Sequence, residues 1–301
     1  MPYVDILRGL KALFLERPEA VDVGALLAAR APGLGAEERL VLASLPDERV
    51  AVYVGLLRAN QATMLDFVAP STVEVAAAFG GVSREEFARA TLVDTPRRSS
   101  RMRELSERVL DHLAGAGRAI ATNCPAIVDL ARLERAQTSA FYAPDLDDAL
   151  SPPAFAELAA AATVDEMLAL EFVVAPSVRI VALERDVLAW RARRHETGTW
   201  DPPPPRLAAP LEVLVARDPV SLQPESHVLP RDLLALVRPS EGPRSTLESL
   251  AERWIEASGV SPDDAEAAPR FFEQAADWTR HGVIAVFAPS KLDVDGTQGR
   301  P

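Results

Sequence analysis

A single cysteine, Cys124, stands in 301 residues, which excludes an intrachain disulfide and any cysteine-cluster metal site. Histidine is almost as scarce. His112, His195, His227 and His281 lie far apart and fall in no His-x-x-x-His or Glu-x-x-His spacing, so no metal site is expected in this chain. Lysine is confined to Lys11 and Lys291, the other basic residues being arginine. No uncharged run reaches the roughly 18 residues that a membrane-spanning helix needs. The opening twenty residues carry Asp5, Arg8, Lys11 and Glu16 at helical spacing, unlike the apolar core of a signal peptide. Neither a Gly-x-Ser-x-Gly elbow nor a Gly-x-x-x-x-Gly-Lys loop occurs, and Gly115-Ala-Gly117 follows a helix instead of a strand. Positive charge is in deficit, with 44 acidic against 32 basic residues and a net charge of −12. What the chain does have is apolar material, 48% of residues, enough to bury real cores. A water-soluble, cytoplasmic protein with no membrane partner is the expectation.

The first half reads as helices. Leu7, Leu10, Phe14 and Leu15 share a face that Pro18 ends, and residues 47–67 form a long amphipathic run. After Pro70, Val73 to Phe79 continue up to Gly80-Gly81. Ser83 and Glu86 have capping-box spacing, and further helices are expected over 100–114 and 125–141. Near residue 165 the pattern changes. Glu171-Phe-Val-Val and Ser177 to Leu183 read as strand, turn, strand, and a helix follows over 184–193. The tetraproline 202–205 fits only an extended connection. Leu211 to Arg217 and Val220 to Val228 then form a hairpin around Asp218-Pro219. Helices are expected at 230–237, at 245–257 with Ser245 and Glu248 as a second capping box, and at 263–281 behind Ser261-Pro-Asp-Asp. Gly282 ends the last helix and Val283 to Phe287 make a final strand. The expected layout is two domains: all-α over 1–160, α+β and winged-helix-like over 165–290, with a flexible tail at 291–301.

Catalytic constellations are hard to find. Cys124 precedes Pro125 at a helix start, where the helix dipole would lower its pKa, though a small core or capping residue fits as well. Asp145, Asp147 and Asp148 read as a solvated acidic loop. The helix from Pro125 is more telling, since Asp129, Arg132 and Arg135 lie within reach of one another and Glu134 falls among apolar positions. A buried Arg–Glu pair is expected to satisfy Glu134, with Arg49 and Tyr53 joining the network. In the second half, strands and three helices suggest a winged helix and hence DNA. Charge argues against nucleic acid, because residues 196–300 hold 17 acids and 10 bases, a net −7 that would repel a duplex. The same layout suits an extended peptide added to a strand edge, with Val220 and Leu222 on the edge and Phe272, Ala275 and Thr279 on the adjoining helix. A net −7 suggests a peptide with basic or apolar anchors.

Several short motifs in fixed order carry a family resemblance over roughly residues 45 to 290. They are Arg49-Val-Ala-Val-Tyr53, then Phe67-Val-Ala-Pro70 and Phe79-Gly80 followed by Phe87, then Pro125 to Glu134 and Ala143-Pro-Asp145, and finally Pro176-Ser177, Trp190 and Arg217. Together they resemble the family once labelled a DNA-binding domain, which includes the methanobactin biosynthesis partner subunit MbnC and its relatives TglI and HvfC. The chain departs from it at Arg135, where the family often has an aromatic residue, and over its first 45 residues. The resemblance implies a non-catalytic partner subunit without a cofactor of its own. Its helical domain would dock on an MbnB-like multinuclear non-haem iron oxidase, which carries the iron. Its second domain, similar to the PqqD-like peptide-recognition element, would hold the leader of a ribosomally made precursor peptide. A DNA-binding regulator is the alternative.

Overall fold

Proline, glycine and short polar caps cut the chain where the helical pattern breaks. The computed structural model describes residues 3–16, 22–93, 102–238, 244–261 and 264–288. Its first half holds α1 (Tyr3–Glu16), α2 (Val23–Arg30), α3 (Ala36–Ala43), α4 (Asp47–Val68), α5 (Pro70–Phe79), α6 (Arg84–Val93), α7 (Met102–Ala114), α8 (Arg118–Asn123), α9 (Ala126–Phe141), α10 (Pro152–Ala161) and α11 (Val164–Leu168). Pro70 opens α5 because the first helical position has no N–H bond to lose, and the chain turns by 103° there. The Ser83–Glu86 cap forms as its spacing predicts, with the Ser83 N–H 2.9 Å from Glu86 Oε2 and the Glu86 N–H 3.2 Å from Ser83 Oγ. Among the described residues, no single helix is long and apolar enough to cross a membrane.

The second half continues with β1 (Glu171–Val174), β2 (Arg179–Leu183), α12 (Val187–Thr197), β3 (Leu211–Arg217), β4 (Pro224–Val228), α13 (Arg231–Leu236), β5 (Ser245–Thr246), α14 (Leu247–Ser258), α15 (Ala267–Arg280) and β6 (Ile284–Phe287). The fold is therefore mixed α/β, a helical first part joined to two small antiparallel sheets, ordered β5-β1-β6 and β2-β3-β4. Strands β1 and β2 do not pair with each other, contrary to the strand–turn–strand reading. At Ala175 the backbone N–H turns aside to bond Val283 O at 2.9 Å, and the chain crosses from one sheet to the other. Phe172 then faces Val286, and Ile180 faces Leu214. Thr246, not Ser245, caps α14, because the helix begins one residue later than the spacing suggests, at Leu247, and the Thr246 hydroxyl accepts the Ser249 N–H at 3.3 Å. The cap expected at residues 261–264 and the tail at 291–301 fall largely or wholly outside the described residues, and α15 opens at Ala267. Around the tetraproline the chain is irregular. It is strapped down by Trp190 Nε1 donating to Asp201 O and Trp200 Nε1 donating to Glu74 Oε2, each at 3.0 Å.

Strand β3 is the middle of its sheet, and Val213, Leu214, Val215 and Ala216 are all completely buried. Alternate residues point to opposite faces. Val213 and Val215 join the helical core with Leu130, Leu133 and Trp190, while Leu214 and Ala216 join a second core with Phe271, Ala275 and Trp278. The helical core thus continues well past residue 165, taking in Leu183, Val187 and β3. A small third cluster, Leu13, Leu27, Ala31, Leu34 and Leu42, ties α1 to α3. Because β3 serves both larger cores, Leu214→Ala should cost about 2–5 kcal/mol and lower amide protection on both sides of the sheet. Native-state hydrogen exchange checks this. Loss confined to α14 and α15, with α9 unchanged, would show that the cores unfold independently.

Candidate functional site

Helix α9 lies across the sheet and supplies the charged residues that the sequence singles out. It packs against α5, α7, α8, α12 and all three strands of β2-β3-β4. Asp129 is 1% exposed and bonds Arg132 Nη1 at 3.3 Å, as the i, i+3 spacing predicts. A second partner, Arg185 Nη1 at 3.4 Å, comes from the loop after β2. Arg135 leaves this group and pairs with Glu107 on α7 at 3.5 Å.

Glu134 is buried, but no arginine of its own helix satisfies it. Its carboxylate accepts the Ser71 N–H at 2.7 Å, the Thr72 N–H at 3.1 Å and the Thr72 hydroxyl at 2.6 Å. Those donors open α5, whose N-cap, Ala69, has no side-chain oxygen. Helix α9 thus caps α5 across the fold, placing a carboxylate at the positive end of the helix dipole. Burial pushes the Glu134 carboxyl above its ordinary range, while the Thr72 hydroxyl, the two N–H groups and nearby Arg191 pull it back. Arg191 faces it from α12 and donates to Gln137 Oε1 at 3.1 Å. The sequence held a clue, since a helix opening Ala-Pro-Ser-Thr cannot cap itself. Arg49, by contrast, is exposed on α4 and stays out of the network, and the Tyr53 side chain lies outside those described.

The groove expected between the hairpin and the last helix is not assembled as one surface. Strand β4 does lie at an edge of its sheet, but it begins at Pro224, and Val220 to Gln223 form the connecting turn. Asp218 shapes that turn, its carboxylate accepting the Val220 and Ser221 N–H groups at 2.9 and 2.6 Å. Leu222 sits there at φ +59° with its N–H bonded to Asp218 O, so it offers no strand edge. Ala275 is wholly within the second core, and Phe272 packs half-buried against it. Thr279 is buried and spends its hydroxyl on Ala275 O at 2.8 Å. Only Leu222 and Thr279 meet, lining a cavity of about 270 Å³ with Arg217 and Asp145. Arg217 spans this end of the molecule. It donates to Phe141 O and Ala143 O at 3.0 Å each and pairs with Asp145.

The other edge of the same sheet carries a feature that sequence spacing does not reveal. No strand among the described residues pairs with the outer side of β2. Along it runs a cleft of about 410 Å³, lined by Ile180, Val181 and Ala182 of β2 and by Arg103, Arg132, Arg135 and Arg179. Four arginines from α7, α9 and β2 thus converge with Glu107 as the only acid on the lining. Arg179 is held in place by donating to Pro176 O and Val178 O, both at 2.7 Å. Burial lowers its pKa, and the like charge of Arg103 adds to this. An unpaired strand edge walled by guanidinium groups can accept an extended, negatively charged chain. Cys124 takes no part in such a site. It is fully buried, and burial raises its thiol pKa despite the Ile127 and Ala126 N–H groups.

No protein-family model matches the chain, and no curated protein matches it.

Two measurements check this geometry. Glu134→Ala should cost about 3 kcal/mol or more, because each buried donor left unpaired costs roughly 1–3 kcal/mol, whereas Thr72→Val should cost about 1 kcal/mol. Urea unfolding gives both values, and equally small losses would show that the carboxylate is not what caps α5. Cys124 should resist an alkylating reagent at mildly alkaline pH until the protein is unfolded. Prompt modification of the native chain would revive a nucleophilic role.

Proposed function

We propose that this chain is a non-catalytic peptide-binding subunit that holds an extended acidic segment along the edge of β2 and presents it to a partner enzyme. The carrying observation is the arginine-lined cleft beside that unpaired edge. Strand addition would supply main-chain hydrogen bonds, and Arg103, Arg132, Arg135 and Arg179 would select acidic side chains. This reverses the expectation of a basic leader, since the net −7 belongs to residues 196–300 while the cleft is built by residues 103–182.

The family resemblance extends the reading to a partner and a substrate: an MbnB-like iron oxidase, with its iron in that enzyme, and the leader of a ribosomal precursor peptide in the cytoplasm. We read the succession β1, α13, β5, α14, α15, β6 as the winged-helix-like, PqqD-like element. The helical part offers a face for docking. Val52, Leu56 and Phe67 are exposed at 62%, 62% and 65%, and their spacing places them along one side of α4 with Arg49 at its head.

Fluorescence anisotropy with two short labelled peptides tests the proposal, one alternating Glu with Val and the other Lys with Val. The acidic peptide should bind at low salt and the basic one should not. Arg103→Glu combined with Arg135→Glu, both on exposed side chains, should weaken the acidic peptide at least about tenfold, or roughly 1.4 kcal/mol. Equal binding of both peptides, or unchanged affinity in the double variant, would overturn it. Salt-dependent binding of a random DNA duplex that the double variant loses would favour the regulator instead.

A further inference from the structure

Two of the four histidines, 54 residues apart in sequence, meet where β4 passes the end of α15, with ring centroids 4.7 Å apart and planes tilted by 58°. Glu225 and His227 alternate along β4 and so project from the same face of the sheet. His281 follows α15 directly, and its position is fixed from behind by Gly282. That glycine adopts φ +64°, and a Cβ there would collide with the Arg217 carbonyl. Glu225 Oε2 lies 3.0 Å from His281 Nδ1 and 3.5 Å from His227 Nε2, and one ligand atom from each residue falls within 4.8 Å of the others. Metal–nitrogen and metal–oxygen bonds of about 2.0–2.2 Å in a tetrahedron place neighbouring ligand atoms about 3.3 Å apart. Two of the three separations therefore already match such a set.

Two further observations point to a cation. His227 Nε2 is buried and has no hydrogen-bond partner among the described residues. The second nitrogen of His281 faces Asp277 Oδ1 at 3.5 Å. A carboxylate behind a ligating imidazole fixes its tautomer and leaves the other nitrogen's lone pair for the metal. Asp218, Glu225 and Asp277 gather at this corner, with Arg280 engaged by Asp277 at 3.2 Å.

We propose that Glu225, His227 and His281 form a binding site for one divalent ion of the zinc type, with Asp277 as the positioning residue for His281. Three protein ligands leave a fourth position open to water or to a donor from a bound molecule. The ion would cross-link β4 to the end of α15, holding the β2-β3-β4 sheet against the second core. The site lies on the opposite edge of that sheet from the arginine cleft, so it stands or falls independently of the peptide-binding proposal.

The test is titration of the metal-stripped full chain with Zn²⁺ by calorimetry and with Co²⁺ by visible absorption. We expect one saturable site, an intense d–d spectrum of low-coordinate Co²⁺, and a melting temperature that rises with zinc. His227→Ala and Glu225→Gln should each weaken zinc about 10- to 100-fold, and Asp277→Asn about tenfold, in line with losses at ligand-supporting positions. His195→Ala, on the exposed side of α12, should change nothing. Matching circular dichroism and metal-free melting temperatures identify variants that remain folded. Absence of saturable binding, or undiminished binding in folded His227→Ala and Glu225→Gln, would overturn the site.

Discussion

Strand β3 meets water on neither face, and the arrangement of everything around it follows from that constraint. A strand buried on both sides must be covered twice. Here α9 and its neighbours cover one face, while α14, α15 and β6 build the core on the other. Four successive fully buried apolar side chains contribute about 1.5–3 kcal/mol each for the larger ones. That burial sets the plane in which α9 lies. Once α9 is held there, its polar residues have fixed places: Asp129 toward Arg132 and Arg185, Glu134 toward the head of α5, Arg132 and Arg135 toward the edge of β2. The arginine cleft and the scaffold are therefore one construction.

Buried charge is the cost of that construction. A carboxylate taken from water must find donors or lose its charge. Glu134 finds three, and two of them are backbone N–H groups that the start of α5 would otherwise leave unsatisfied. One desolvated acid and one uncapped helix settle each other's deficit. An apolar side chain at position 134 would relieve the acid but leave the helix end bare, which explains why a charged residue survives among Leu130, Leu133 and Ala136.

Legibility in the sequence follows the range of the interaction. Interactions between near neighbours in sequence were readable: the Ser83–Glu86 box, the Pro70 helix start, the Asp129–Arg132 pair and, over a short turn, the hairpin of β3 with β4. Pairings across long separations were not. Nothing local distinguishes a β1–β2 hairpin from two strands that pass into different sheets, since both give β-branched runs around Ala-Pro. Ser245 and Thr246 are equally good caps by residue type, and pairing of both with β1 sets where the strand ends and α14 begins. Leu222 looked like strand because leucine gives no warning of a left-handed turn position; the turn is enforced by Asp218. The arginines of the cleft lie on three elements, and His227 and His281 on two, so only the fold brings each group together. Net charge is equally blind to placement, being a sum over residues that do not share a surface.

The two edges of the β2-β3-β4 sheet have to be kept from pairing with another copy of the chain, and they differ in how this is done. At β4, Pro224 removes one backbone donor, the Asp218 turn limits the strand to five residues, and Glu225 and His227 turn toward the end of α15. At β2 no strand among the described residues covers the outer edge, and the residues beside it are mostly arginines. A second copy approaching edge to edge would bring its own Arg103, Arg135 and Arg179 against the same residues, and like charges at such separations repel. An acidic strand meets the opposite sign at each of those positions. If the β2 edge takes an acidic segment as proposed, the same arginine set would disfavour self-pairing, specificity arising as a difference between two affinities instead of the strength of one.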